Sequence, residues 1–299
     1  MSSYVGEIAA LATAFCWSLT STFFSIAGRA VGSVVVNRAR LVLAVFFLAL
    51  THLLIQGELL PVHAEPSRWW WLGCSGIIGL ALGDSCLFQA LVLVGPHLSM
   101  LLMSLVPVVS TLVAWAYLNE AMNPVKLGAV LLTVGGIMLV VWAKRDLGIT
   151  NDHRHYWIGI LCGFGGAVGQ AFGLITAKKG LAGDFSGLSA TLIRVSVATV
   201  AIWIFTFIRG EVRSTFQRLS NRKATISIAA GAFAGPFLGI WLSMVAIKWT
   251  YVGVASTLMA LTPIMLLPIS YWIFGERITV WSIVGTIVAV AGTALIFLA

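Results

Sequence analysis

The stretch SLVPVVSTLVAWAYLNE (104–120) recurs 156 positions later as ALTPIMLLPISYWIFGE (260–276). Each copy is an apolar run that carries a proline near its start and ends on a glutamate. Self-similarity at one fixed spacing indicates an internal duplication. The same shift aligns residues within and beyond the two stretches, including Met103 with Met259, Pro107 with Pro263, Glu120 with Glu276 and Gly136 with Gly292.

The composition is that of a membrane protein. Hydrophobic residues make up 60% of the chain and charged residues 9%, whereas soluble domains carry about a quarter charged residues. A spanning helix needs ~20 apolar residues, and the short alternating segments of a transmembrane barrel are missing. We therefore predict an all-α polytopic membrane protein with ten transmembrane helices, numbered 1 to 10, at 5–28, 31–56, 69–94, 96–118, 124–143, 156–177, 187–208, 224–248, 253–274 and 279–298.

The duplication divides these helices into two sets of five. We predict a first five-helix repeat over residues 1–146 and a second over residues 147–299. Because five is odd, the second copy enters the membrane from the opposite side, so the repeats are inverted. Secondary transporters use inverted repeats for alternating access, with the substrate site near mid-membrane between the repeats. The duplication thus predicts a transporter.

Small residues four apart and prolines at membrane depth are repeated in both halves. Small-xxx-small stripes let helix backbones approach closely, and proline interrupts helical hydrogen bonding. We expect both kinds of residue to serve helix packing and hinge motion. The main positions are Gly79, Gly83, Gly235 and Gly239 for packing, and Pro107, Pro236 and Pro263 for hinges.

The paired Leu-x-Pro … Glu runs resemble the EamA family of the drug/metabolite transporter superfamily. The segments GDSCLFQALVLVG (83–95) and AFCWS (14–18) are also similar to that family, and the resemblance covers the whole chain. It implies a secondary transporter without an ATP site. Family members export amino acids or move nucleotide sugars, so the resemblance leaves the substrate open.

Asp84 lies inside an otherwise apolar helix, where a charge costs ~2.5–3.5 kcal/mol on insertion scales. A carboxylate there couples transport to protons if desolvation raises its pKa, or binds a substrate amine. The competing interpretation is a structural salt bridge with Arg40 or Arg38 on helix 2. Asp84 aligns with Ile240 in the second repeat, so the two halves differ at this position.

Arg40 and Arg194 are equivalent residues of the two repeats, each about seven residues into its helix. Long basic side chains near helix ends commonly extend toward the membrane interface. The alternative is that they bind an anionic group of the substrate. Both interpretations stay open at the level of sequence.

Large side chains near the helix centres are candidates for lining a substrate cavity. An aromatic and polar wall suits a small amphipathic metabolite, and methionine adapts to irregular shapes. The alternative for each is packing or lipid contact. The candidates are Trp17, Phe88, Gln170, Trp241, Met103 and Met259.

Other functions find weak support. The net charge of +8 comes without a basic patch interleaved with aromatics, so no nucleic-acid partner is predicted. The four cysteines fall in apolar stretches without metal-ligand spacing, and we expect them to be reduced packing residues. Gly73–Gly76 matches a short serine-protease pattern, but an enzyme is not predicted, nor is a metal or cofactor.

The distribution of basic residues sets the predicted orientation. Loops on the side opposite the termini carry ten lysines and arginines and loops on the terminal side carry five, which places both termini outside the cytoplasm. We predict a multi-pass protein of the cell membrane that exports a small polar or amphipathic metabolite, such as an amino acid, with protons as a coupling partner if Asp84 titrates. The alternatives are an uncoupled facilitator and a non-transporting protein such as a scramblase; the oligomeric state stays open.

Overall fold

The computed structural model describes residues 4–118, 123–145 and 153–298. Within these ranges ten helices are long and apolar enough to cross a membrane, which confirms the predicted all-α polytopic class. Their bounds follow the predicted ones closely. They are α1 Val5–Val31, α2 Ser33–Gln56, α3 Pro66–Leu93, α4 Gly95–Met103 with Leu105–Leu118, α5 Pro124–Arg145, α6 His153–Gly180, α7 Gly187–Ile208, α8 Arg222–Ala232 continued to Ile240–Trp249, α9 Val252–Met259 with Thr262–Phe274, and α10 Val280–Leu298.

Consecutive helices run in alternate directions. The start of α1 and the end of α10 lie on one membrane face, here called the terminal face, and the end of α5 and the start of α6 lie on the other, here called the far face. Since α1 starts at the terminal face and α6 at the far face, the two five-helix repeats are inverted.

The two repeats interlock. The first helix of each repeat packs on the third helix of the other, so that α1 contacts α8 and α6 contacts α3. The second helices of the two repeats, α2 and α7, pack against each other, and so do the fifth helices, α5 and α10. Each packed group of helices is therefore built from both halves of the sequence.

The predicted small residues lie at these crossings. A Cβ on Gly235 or Gly239 would meet Thr20 or Trp17 of α1, and a Cβ on Gly83 would come within 3.3 Å of the backbone of α6. Gly79 likewise faces Gly173 of α6. The absence of side chains is what allows the crossing helices to touch.

Two π-helical segments interrupt α3 and α8 at equivalent positions, over Ile77–Gly83 and Phe233–Gly239. Only the second contains a proline, Pro236, so proline is not the common cause. Both segments are glycine-rich and lie on the crossings with α6 and α1. A π segment within an α-helix commonly marks a functional site, and the one in α3 ends immediately before Asp84.

The prolines of α4 and α9 produce matching breaks. Pro107 has no N–H to donate to the carbonyl of Met103, and α4 is interrupted at Ser104. Pro263 stands in the same relation to Met259, whose carbonyl accepts from the Thr262 hydroxyl instead, at 2.9 Å. Both predicted hinge positions therefore coincide with breaks in the helix.

One helix was not predicted. The segment 209–223 was expected to be a loop, yet Val212–Leu219 forms an amphipathic helix on the far face between α7 and α8. It buries Thr215 and exposes its arginines. Hydropathy does not detect this helix because it is short and its mean hydropathy is low.

Candidate functional site

Asp84 is the centre of a buried polar cluster in the membrane interior. Its side chain is 7% exposed and forms a salt bridge with Arg40 of α2. The amide nitrogen of Gln170, on α6, donates to its other carboxylate oxygen. One carboxylate thus joins α2, α3 and α6, and the predicted pairing with Arg40 is the one found, whereas Arg38 pairs elsewhere.

Asn37 supports this cluster from α2. Its amide nitrogen donates to the Ser85 hydroxyl at 2.9 Å and to the carbonyls of Leu80 and Ala81 in the π segment. Its amide oxygen accepts from Nε of Arg40 at 3.1 Å. Asn37 therefore holds the guanidinium of Arg40 in place and satisfies carbonyls near the end of the π segment.

Arg194 reaches the same cluster from α7. A Cβ on Gly79 would lie 3.6 Å from its Nη2 and 3.5 Å from Oε1 of Gln170, and it interacts electrostatically with Asp84. Its Nε is buried and has no hydrogen-bond partner. Arg40 and Arg194, equivalent in the two repeats, thus lie in the same cluster, which holds one carboxylate because the counterpart of Asp84 in the second repeat is an isoleucine.

Phe88 closes the cluster on one side. The Arg40 guanidinium lies 4.9 Å from the centre of its ring, a cation–π arrangement. The ring also packs edge-on against Phe24 of α1 at 5.1 Å. Four of the residues predicted for the site, Asp84, Arg40, Phe88 and Gln170, are therefore in contact.

Trp17, Met103 and Met259 line a different space. It is a cavity of about 270 Å³ between α1, α4, α9 and α10, which also borders Pro107 and Pro263. Its walls extend from the middle of these helices to residues near the end of α10. The cavity therefore runs from mid-membrane toward the terminal face.

Trp241 lies apart from both groups. It is 55% exposed and lines a cavity of about 240 Å³ between α2, α7 and α8, together with Phe237 and Ile240. The sequence prediction grouped it with Asp84, and the structure does not bring the two together. The reason is that Trp241 follows the π segment of α8, which faces α1 and α2 rather than α6.

Side-chain contacts join α1, α5 and α9 at the far face. Lys144 at the end of α5 donates to Glu276 after α9 at 2.6 Å, and both side chains are at most 7% exposed. Arg29 lies 4.6 Å above the ring of Phe274. The partner of Glu276 is thus a buried lysine; its counterpart Glu120 lies outside the described residues.

The serine of the pattern at Gly73–Gly76 lies in a packing contact. Ser75 is buried, and its hydroxyl donates to the carbonyl of Gly173 across the contact between α3 and α6, at 2.6 Å. The cysteines Cys16, Cys74, Cys86 and Cys162 are free. Among the described residues, no group of three or more His, Cys, Asp or Glu side chains is placed to hold a metal ion.

The fold and its buried polar centre define a polytopic membrane protein of inverted repeats, the architecture of secondary transporters. The model of the EamA-like transporter family matches residues 4–142 and again residues 157–298. The chain belongs to this family. This family is one of transporters, as the sequence resemblance implied.

Comparison with solved structures supports the fold. One crystal structure aligns with a TM-score of 0.60 over 99% of this chain and 96% of the other, at 15% identity. At that identity the likeness concerns the fold alone. A comparison with curated proteins finds no match.

Proposed function

We propose that this protein is a secondary transporter for a small amphipathic molecule that carries a carboxylate, with amino acids as the first candidates. One observation carries the proposal. The cluster holds two guanidinium groups and one carboxylate: Asp84 pairs with Arg40, while the buried Nε of Arg194 has no hydrogen-bond partner. Cations inside a membrane pair with anions because an unpaired buried charge is costly. A substrate carboxylate would supply the missing anion.

We assign Asp84 a structural and orienting role rather than that of a proton carrier. Asp84 is the counterion of Arg40, and Gln170 donates a hydrogen bond to its other carboxylate oxygen. Both carboxylate oxygens are therefore engaged within the protein. This geometry supports the uncoupled facilitator over the transporter that is proton-driven through Asp84.

We propose that alternating access moves groups of helices drawn from both repeats, instead of one repeat against the other. One group contains α3, α4 and α6, and the other contains α1, α8 and α9, since these are the helices that pack together. The cavity beside Trp17 extends toward the terminal face, and the Lys144–Glu276 pair closes the far face. The opposite state would break this pair and close the cavity.

Thermal unfolding with matched ligand pairs tests the substrate class. Each amino acid is compared with its own amide, for example leucine with leucinamide, which differ in the carboxylate. A ligand at a hundred times its dissociation constant adds ~2.7 kcal/mol to the stability of the protein. We expect stabilisation by acids and none by amides.

Variants locate the carboxylate contact. Arg194→Gln should abolish stabilisation by the acids, whereas Arg68→Gln, which removes a cation at the terminal face, should leave it unchanged. Equal stabilisation by acid and amide, or a full response in the Arg194→Gln variant, would overturn the assignment. Uptake of the stabilising amino acid into proteoliposomes, with and without a proton gradient, then tests transport itself.

A further inference from the structure

A lateral groove on the far-face side has no role in the transport path proposed above. Its volume is about 490 Å³, and it lies between α2, α7, α8 and the amphipathic helix. Its walls are hydrocarbon and aromatic, and the rings of Trp203 and Phe216 lie 5.7 Å apart at an angle of 39°. The lining residues are Ala39, Val42, Leu43, Trp203, Phe216, Leu219, Thr225 and Ile228.

The amphipathic helix is fixed against the membrane helices by polar contacts. Arg38 of α2 binds Glu211 at 2.5 Å and the Thr215 hydroxyl at 2.8 Å. Arg218 donates to the carbonyl of Val31 at 3.2 Å. The rim of the groove is therefore held in place by contacts to α1 and α2.

The rim is strongly cationic. Arg209, Arg213, Arg222 and Lys223 are exposed, and the described residues show no ion pair for any of the four. The single carboxylate of the segment, Glu211, is already bound by Arg38. Arg213 and Arg222 each stand one helical turn before a groove-lining residue, Phe216 and Thr225, so they lie on the same side of their helices.

We propose that this groove is a binding site for an anionic phospholipid. An acyl chain would occupy the apolar groove, and the phosphate would lie against Arg213 and Arg222. An apolar slot capped by unpaired cations is complementary to a lipid whose headgroup carries net negative charge, and basic residues at the membrane surface attract such headgroups. A zwitterionic lipid offers the same chains but no net charge to match the rim.

Native mass spectrometry of the delipidated full-length protein tests this site. Phosphatidylglycerol and phosphatidylcholine with identical acyl chains are titrated separately. We expect phosphatidylglycerol to bind at least tenfold more tightly, and the Arg213→Gln/Arg222→Gln variant to lose that preference. Both arginines are exposed, so the variant is expected to fold.

Two controls separate a specific site from general attraction. Lys178→Gln/Lys179→Gln removes the same charge from the terminal face and should keep the preference for phosphatidylglycerol. Ala39→Phe fills the groove and should weaken binding of the anionic lipid while the rim charge is intact. Equal binding of both lipids, equal losses in the two double variants, or full binding in Ala39→Phe would each overturn the proposal. None of these outcomes depends on whether Arg194 binds a substrate.

Discussion

At the residue scale, the chemistry of this protein is concentrated in one carboxylate and the groups that compete for it. Asp84 could be singled out from the sequence because an acid in an apolar helix demands a partner. Its contact with Arg40 was one of two predicted pairings. That Arg194 would join the same cluster from the other repeat could not be predicted, because sequence does not show which helices of the two halves cross.

Removing the negative charge of this cluster should destabilise the protein. Asp84→Asn leaves the buried Arg40 without its counterion, and breaking a buried ion pair costs about 3–5 kcal/mol. We expect a loss of that order in the free energy of unfolding in detergent. Adding Arg40→Gln to the same chain removes the unpaired cation and should recover part of the loss. Additive losses in the double variant would contradict an ion pair between the two side chains.

Glu211 provides a pH-dependent contribution outside the membrane. The hydrogen bond from Arg38 lowers the pKa of Glu211 below its ordinary value of 4.5, and the charges of Arg209 and Arg218 act in the same direction. Because the folded-state pKa is lowered, this contribution is complete above about pH 4.5 and is lost as the pH falls below it.

The measurement is the difference in unfolding free energy between wild type and Glu211→Gln as a function of pH. This difference should be constant near neutrality and should shrink below pH 4.5. In the Arg38→Gln background the same comparison should lose most of its pH dependence. A difference that grows on acidification would contradict the assigned direction of the shift.

At the scale of helices, hydropathy predicted every span, and it missed the features that depend on hydrogen-bond pattern. The π segments in α3 and α8 are as apolar as the helical turns around them, so hydropathy does not distinguish them. Hydropathy also missed the amphipathic helix at Val212–Leu219, because that helix is polar and only eight residues long. Proline breaks were predictable because the missing N–H is a property of the residue itself.

The crossing of α5 and α10 offers a test with two neighbouring glycines. A Cβ on Gly136 would overlap the backbone of Ala289, whereas a Cβ on Gly135 meets nothing within 4 Å. Gly136→Ala should therefore cost about 1–3 kcal/mol, the usual range for overpacking. Gly135→Ala should leave the free energy of unfolding unchanged or raise it by up to about 1 kcal/mol through helix propensity. Equal effects of the two changes would exclude the close crossing.

At the scale of the whole molecule, the fixed spacing of the repeated residues predicted the inverted duplication. It did not predict that the two repeats interlock. Trp17 and Gln170, which align when the chain is shifted by 153 positions, occupy equivalent crossings. Trp17 lies beside Gly239, and Gln170 lies beside Gly79 and Gly83. The predicted site therefore divides into a polar part around Asp84 and an apolar cavity around Trp17. The polar part exists in one repeat only, because Asp84 is replaced by Ile240 in the other. The two equivalent arginines, Arg40 and Arg194, therefore both lie in the cluster around Asp84.

The orientation of the whole molecule is the remaining prediction. Loops on the far face carry twice as many basic residues as loops on the terminal face, so we expect the far face to be cytoplasmic. A reporter fused after Ala299 that is active only in the cytoplasm should then be silent, while one active only outside should work.

The same orientation makes a prediction about access to the cavity. With the far face closed by Lys144 and Glu276, Met259→Cys in a cysteine-free background should react with a membrane-impermeant thiol reagent applied from outside the cell. His97→Cys, buried beside Thr286 near the far face, should be protected and serves as the matched control. Glu276→Gln should weaken the closure and reduce the labelling of Met259→Cys from outside, because it favours the state in which the terminal face is shut. Unchanged labelling in that variant would show that the Lys144–Glu276 pair does not hold the far face closed.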